Sequence, residues 1–273
     1  MLRMQTETGW WLITHPDHAR LAGSFAEAWG NAQFASPEPR SRVLRGIRCH
    51  DDGWAARDAE PQITRQGKPS AFSMELVGKY SAFEEIDLED YLAVRDRAVR
   101  LIAEEDAYAG LLISMHTCNL LSERADRSTI AAEQLPLLDG FLEAQAAYQQ
   151  ELMQAVRHDA SLSGEAKTET CIRDHFRLLQ ATDNLSLLSC VAYRMPATLL
   201  HPLPLCSGGY STVAVEAVDD RHFRLTPYPF AEPSLVFRFP ARHITGHTFA
   251  TAAELQARFA EAPVEMLTVT LSA

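Results

Sequence analysis

Three histidines and two aspartates, all of them side chains that can ligate metals, are spread along this 273-residue chain. In chain order they are His18, His50, Asp51, His116 and Asp183. Each lies in a stretch whose pattern predicts a helix or the end of one. Imidazole and carboxylate groups together suit a divalent transition metal, and neighbouring helices of a bundle can direct such side chains toward one interior point. The set therefore predicts a metal centre among helices.

Asp183 gives the clearest local signal. It lies in the segment LLQATDNLSLL, where leucines surround it on a predicted helix. An unpaired carboxylate is very costly to bury, so this side chain needs a partner. A metal ion is one such partner, and a buried arginine or a hydrogen-bonded neighbour is the other. The sequence leaves both interpretations open.

The doublet His50-Asp51 is the second signal. Adjacent residues of a helix point about 100° apart, so a metal held between the two directions fits the doublet, as does a carboxylate that bridges two metals. Single helical histidines are more often surface or core residues than ligands. His15 is close enough to His18 to be an alternative ligand. A second doublet, His158-Asp159, lies in a polar segment and is expected to be exposed to solvent.

The order of these residues resembles the HD-domain superfamily of metal-dependent phosphohydrolases, and the resemblance covers about residues 10–191. It implies a first metal site with four ligands, which are His18, His50, Asp51 and Asp183. His116 is similar to the additional histidine of members that hold two metals. The implied cofactor is one or two divalent ions, with Mn, Fe, Ni and Zn not distinguished. The implied activity is hydrolysis of a small phosphorylated or nucleotide-like substrate.

The chain departs from many HD phosphohydrolases directly after the doublet. It continues with Asp52-Gly53-Trp54, where those enzymes have a small residue, a glycine and a lysine that could contact phosphate. The missing lysine mildly favours a second hypothesis, an HD-type di-iron oxygenase of a small molecule. A third hypothesis is a non-catalytic protein whose helical cavity senses a small ligand and whose β-subdomain contacts a partner. The segments HDDGW and LLQATDNLSL also make the whole chain resemble a bacterial family of unknown function.

Two further residues are candidates for proton transfer. Asp52 adjoins the doublet and is placed to act as a general acid or base, although it could equally be the end of a helix before Gly53. His175 precedes Asp183 by eight residues, which is roughly 12 Å along a helix. That distance is too long for both to share a metal comfortably, but His175 could face a substrate in the same cavity.

The elements that must carry these residues fall into two groups. Helical periodicity predicts helices over 15–30, from about 42 to 50, and over 88–105, 108–122, 128–156 and 170–191. Alternating patterns predict strands at 10–14, 211–217, 223–227, 234–239 and 266–271, with a short helix near 252–260. The chain is therefore predicted to be α+β. A mainly α-helical, HD-like bundle over 1–195 is followed by a small antiparallel β-subdomain over 196–273 that packs on it.

Composition limits the partners. Hydrophobic residues make up 47% of the chain, which excludes a disordered protein, and the net charge of −11 argues against broad nucleic-acid binding. The N-terminus lacks a signal-peptide pattern, and no apolar run is long enough for a bilayer. The five cysteines show no metal-type spacing and are predicted to be reduced. We expect a cytoplasmic protein with a small-molecule substrate and possible homo-oligomerisation, without nucleic-acid or membrane partners.

Overall fold

The computed structural model describes residues 1–78 and 87–273, and it confirms the predicted α+β class. Helices dominate the chain up to residue 190, and strands dominate after it. The helices are α1 (His15–Ala28), α2 (Arg40–Cys49), α3 (Ala55–Ala59), α4 (Leu88–Ala103), α5 (Ala107–Asn119), α6 (Leu135–His158), α7 (Glu169–Cys190) and α8 (Ala252–Glu261). Several of them begin where a side-chain oxygen accepts a hydrogen bond from the first turn, and these caps are Thr14, Asp87, Asp106 and Thr168.

The helix predicted over 128–156 begins later in the structure. Single 3-10 turns at Arg127–Thr129 and Ala132–Gln134 precede α6, which starts at Leu135. Pro136 stands in the first turn of α6. Proline is favoured there because the first turn needs no N–H partner, whereas inside a longer helix it would remove a backbone hydrogen bond. The proline therefore sets where this helix can begin.

The strands form a sheet that is mostly antiparallel. They are β1 (Leu2–Gln5), β2 (Gly9–Ile13), β3 (Ala197–Thr198), β6 (Ala214–Asp219), β7 (His222–Thr226), β8 (Ser234–Thr245) and β9 (Val264–Ser272). Their order across the sheet is β1-β2-β8-β9-β7-β6-β3, and β7 and β9 run parallel. A separate small ribbon joins β4 (Leu203–Pro204) to β5 (Tyr210–Ser211).

Two strands from the start of the chain join this sheet, a pairing that the sequence did not predict. β2 pairs with β8, so that Trp10 lies opposite Ile244. Trp10 packs with Ile244 in one apolar cluster, whereas Ile13 belongs to the main core. Successive side chains of a strand point to opposite faces, so β2 contributes to both layers. The division of the chain at residue 195 stays a prediction, and the sheet contains strands from both sides of it.

The helices that carry the predicted ligands are direct neighbours. α1 packs against α2, α7 and β8, while α5 packs against α2, α4, α6 and α7. Leu21, Ile47, Leu111 and Leu179 from these helices are at most 1% exposed and belong to one cluster. The apolar faces thus fix α1, α2, α5 and α7 around a common interior, into which each helix brings a polar residue.

Candidate metal centre

The residues singled out from the sequence as metal ligands meet in the interior. They are His18 on α1, His50 at the C-terminal cap of α2, Asp51 directly after it, His116 on α5 and Asp183 on α7. None of the five is more than 5% exposed. Residues more than a hundred positions apart in the chain therefore share one enclosed polar region.

Their ligand atoms form two overlapping groups that could hold a metal ion. Nitrogen and oxygen atoms of His18, His50 and Asp51 lie within 4.8 Å of one another. Those of His50, His116 and Asp183 do so as well. His50 belongs to both groups and is therefore the centre of the arrangement.

The orientation of His50 is fixed by the backbone. Its Nδ1 lies 2.7 Å from the carbonyl oxygen of Ile47, so Nδ1 carries the hydrogen and donates it. Its Nε2 lies 3.2 Å from Asp183 Oδ1 but makes no hydrogen bond of good geometry with any described residue. A buried nitrogen without a hydrogen-bond partner needs an explanation, and coordination of a cation supplies one.

The charges around His50 favour a cation. Burial lowers the pKa of its imidazole, but the charges of Asp51 and Asp183 outweigh burial and raise that pKa to about 9. The two carboxylates therefore stabilise positive charge at this nitrogen, and either a proton or a metal ion can provide it.

His18 points a second nitrogen into the same region. The Ser186 hydroxyl donates to the backbone oxygen of Asp183, so its oxygen accepts from His18 Nδ1 at 2.9 Å. That tautomer leaves the lone pair of His18 Nε2 facing Asp51 Oδ2 at 3.0 Å. Two acceptors at that separation repel each other unless a positive charge lies between or beside them. Separations of about 3.0 to 3.4 Å are also those of adjacent ligands on an ion with bonds of about 2.1 Å.

Arg95 on α4 fixes the other oxygen of Asp51. Its Nη1 lies 2.5 Å from Asp51 Oδ1, which leaves Oδ2 to face His18. Burial raises the pKa of Asp51, but the Arg95 guanidinium together with His50 and His18 outweighs burial and holds that pKa well below its usual range. Gly53 permits this contact, since a Cβ there would lie 2.4 Å from the carbonyl oxygen of Val94 on α4.

His116 is held by the amide of Gln180. The two groups are 3.0 Å apart, and Gln180 Oε1 is buried without a partner when its nitrogen is placed toward the ring. Exchanging the amide oxygen and nitrogen lets His116 Nδ1 donate to Oε1 and leaves the ring Nε2 for a metal. Burial lowers the pKa of His116 to about 3, so the ring is in the neutral form that a ligand requires.

Sequence reasoning missed the residues that orient the ligands. Gln180, Asp183 and Ser186 recur at a spacing of three, which places them on one side of α7, and this polar line in a leucine-rich helix was a usable signal. Arg95 was harder to find. It follows Tyr91 by one turn on the buried side of α4, and only the fold shows that this side meets Asp51.

The two candidates for proton transfer lie outside both ligand groups. Asp52 Oδ1 is 3.6 Å from the exposed Arg20 guanidinium, and its side chain is 23% exposed. His175 Nδ1 shares a hydrogen bond with the Tyr108 hydroxyl at 2.7 Å and lies 3.9 Å from Cys171 Sγ. Burial lowers the pKa of His175 to about 4. A catalytic role for either residue stays a prediction.

Fold and site together define an α+β protein with a buried histidine-aspartate centre that could hold a metal ion. A family model described as "Protein of unknown function (DUF3891)" matches residues 1–246, and the chain belongs to that family. The matched region contains the whole ligand set. No curated protein and no solved structure matches the chain. Among the described residues, no helix has the length and apolar character to span a membrane.

Proposed function

We propose that this protein is a metal-dependent hydrolase of the HD type that acts on a small phosphorylated or nucleotide-like substrate. One observation carries the metal site: His18 Nε2 lies 3.0 Å from Asp51 Oδ2, next to the Nε2 of His50, which makes no hydrogen bond with the described residues. Three nitrogen and oxygen ligands that face one another in a buried region need a cation.

The hydrogen bonds around the ligands support the same proposal. Ile47, Ser186 and Gln180 each engage the Nδ1 of a different histidine, which leaves Nε2 toward the centre in all three rings. Metal-binding histidines commonly donate their second ring nitrogen to such a partner, because this fixes the tautomer and the ring orientation. The three histidines thus share one arrangement although they come from three helices.

The shared position of His50 favours a single ion. Its Nδ1 is occupied by Ile47, so only Nε2 can reach a metal, and one nitrogen does not bridge two ions. Either ligand group can then hold that ion, with His18 and Asp51 or with His116 and Asp183 beside His50.

Side chains around the centre would orient the ligands of a bound ion and exclude water from it. A divalent ion at this point supplies a Lewis acid that lowers the pKa of water and polarises a phosphoryl oxygen. Arg95 keeps Asp51 ionised and directs one of its oxygens inward. The apolar residues around the centre exclude bulk water, which strengthens the electrostatic interactions inside.

A second candidate function is metal or ligand sensing without turnover. The near-complete burial of all five ligand residues favours it, because a catalytic centre must admit a substrate. The same burial is compatible with hydrolysis if the site opens transiently. The two functions differ in whether turnover occurs once metal is bound.

The test is hydrolysis before and after metal removal. The protein is stripped with a chelator, reloaded separately with Mn, Fe, Ni or Zn, and assayed against phosphomonoesters and nucleotides. We expect metal-restored hydrolysis that Asp183→Asn abolishes and that Asp174→Asn, an aspartate on the same helix outside both ligand groups, retains. Stoichiometric metal without turnover on any substrate would favour the sensor, and failure to bind metal would overturn the hydrolase and leave the sensing of a small ligand.

A further inference from the structure

We infer that Arg95 and Trp54 form a binding position for the phosphoryl group of the substrate beside the metal centre. This inference rests on the proposed function and assigns the substrate contact that the sequence left open. The lysine that follows the doublet in many HD phosphohydrolases is absent, and Asp52-Gly53-Trp54 stands there instead. The structure brings a different cation to the doublet, from α4.

Arg95 has hydrogen-bonding capacity left over. Its side chain is only 9% exposed, its Nε donates to the Tyr91 hydroxyl at 3.1 Å and its Nη1 donates to Asp51. Its Nη2 donates to none of the described residues. A guanidinium presents its donors in a fixed planar fork that matches two oxygens of a phosphate. One edge of this fork is used by Asp51, and Nη2 remains for a further acceptor.

Trp54 is a second donor without an acceptor, in contact with the first. Its ring centroid lies 5.3 Å from the guanidinium carbon of Arg95, and the His15 ring is stacked on it at a centroid distance of 4.5 Å. The residue is 2% exposed, and its indole Nε1 is buried with no hydrogen-bond partner among the residues that the structure describes. Buried indole N–H groups usually find a partner. Arginine and tryptophan side chains only donate, so the missing partner must be an acceptor.

The charge of the centre selects an anion. Asp51 and Asp183 contribute two negative charges, and Arg95 contributes one positive charge. A bound divalent ion leaves one positive charge in excess in a region shielded from water. An excess buried charge is costly, and an anionic oxygen ligand removes that cost. Donor geometry and charge thus point to the same class of ligand, a phosphoryl oxyanion.

Two variants separate this role from a purely structural one. Arg95→Lys keeps a cation beside Asp51, but its single ammonium cannot also present a fork to phosphate. Trp54→Phe keeps an aromatic ring between Arg95 and His15 and removes only the N–H group. Ser189→Ala removes a buried hydroxyl of α7 that bonds to the Leu185 backbone outside the ligand groups, and it serves as the control.

The experiment is calorimetric titration of inorganic phosphate into the metal-loaded full-length protein, with metal content measured on the same samples and folding checked by circular dichroism. We expect phosphate binding to weaken at least tenfold in Arg95→Lys and several-fold in Trp54→Phe, with unchanged metal content and with Ser189→Ala like the wild type. Equal phosphate binding in all four metal-loaded proteins, or none in the wild type, would overturn the inference and leave the metal site standing. A wild type that binds no metal would overturn the proposed function as well.

Discussion

Two histidines of α1 that are one turn apart each face an aspartate, but the partners of their ring nitrogens differ. His15 and Asp58 are satisfied together with the N-terminal amino group of Met1, which lies 2.6 Å from His15 Nδ1 and donates to Asp58 Oδ1 at 2.8 Å. The backbone N–H of His15 donates to Asp58 Oδ2 at 2.5 Å. The Nδ1 of His18 instead forms a hydrogen bond with Ser186, and its Nε2 faces Asp51. The residue types are the same in both pairs. What distinguishes a candidate metal centre is the set of ligand atoms that the surrounding protein leaves without partners.

The pKa directions follow the same division. Burial and the charge of the N-terminal amino group together lower the pKa of His15 more than Asp58 raises it, so this ring is neutral and the cluster is complete. Burial also lowers the pKa of His50, but two carboxylates reverse that effect and raise it to about 9. The first pair needs nothing more, whereas the second region attracts a cation.

Removing the Asp51 carboxylate should have the largest effect on stability. Asp51→Ala leaves Arg95 buried without its carboxylate, and we expect the free energy of unfolding to fall by about 3–5 kcal/mol. Denaturant titration of the metal-free protein measures it. The double variant Asp51→Ala/Arg95→Met removes the stranded charge and should recover most of the loss. A double variant no more stable than the single one would show that the stranded Arg95 charge does not cause the loss of stability.

The dependence of stability on pH tests the burial of His175, which lies outside the ligand groups. Burial lowers the pKa of His175 to about 4, whereas its value in an unfolded chain is about 6.5. Between these values the unfolded state binds more protons, so the free energy of unfolding rises with pH, by up to about 3 kcal/mol from this residue. His175→Gln should flatten the curve between pH 4 and 6.5. If the free energy of unfolding of His175→Gln kept the slope of the wild type in this pH range, His175 would not be the cause of the pH dependence.

Gly53 tests the contact that brings the doublet to α4. Gly53→Ala places a methyl group 2.4 Å from the Val94 carbonyl oxygen, so we expect a loss of about 1–3 kcal/mol in stability together with weaker metal binding. Gly140→Ala on α6 is the matched control, since a Cβ there meets nothing within 4 Å. Thermal unfolding with and without metal measures both effects. Equal behaviour of the two variants would show that the close approach does not matter.

The smallest expected effect concerns the tautomer of His18. Ser186→Ala removes the acceptor for Nδ1 and should weaken metal binding about tenfold, which is typical of the loss of a partner to a metal-binding histidine. Ser189→Ala removes another buried hydroxyl of α7, which donates only to the Leu185 backbone, and should leave the affinity unchanged. Competition with a chelator of known affinity compares the two. A matching loss in both variants would point to general damage to α7.

The sequence predicted the α+β class and the residues of the centre because both depend on local patterns. Asp183 stands out among leucines, and the helical periodicity places each histidine near a buried face. The sequence did not predict that β2 pairs with β8, because that partner lies more than two hundred residues away. Arg95 was not predicted for the same reason. Its contact with Asp51 forms only because Gly53 lets the turn after α2 pack closely against α4. Pairings between distant segments are set by tertiary packing and leave little local trace.

The central claim is that leftover ligand atoms, and not histidine and aspartate alone, mark a metal centre in this protein. Elemental analysis of the purified wild type, His50→Gln and His15→Gln tests it most directly. We predict stoichiometric metal in the wild type and in His15→Gln, and loss of that metal in His50→Gln. A folded wild type that takes up no Mn, Fe, Ni or Zn, or a His50→Gln variant that retains the metal, would contradict the account.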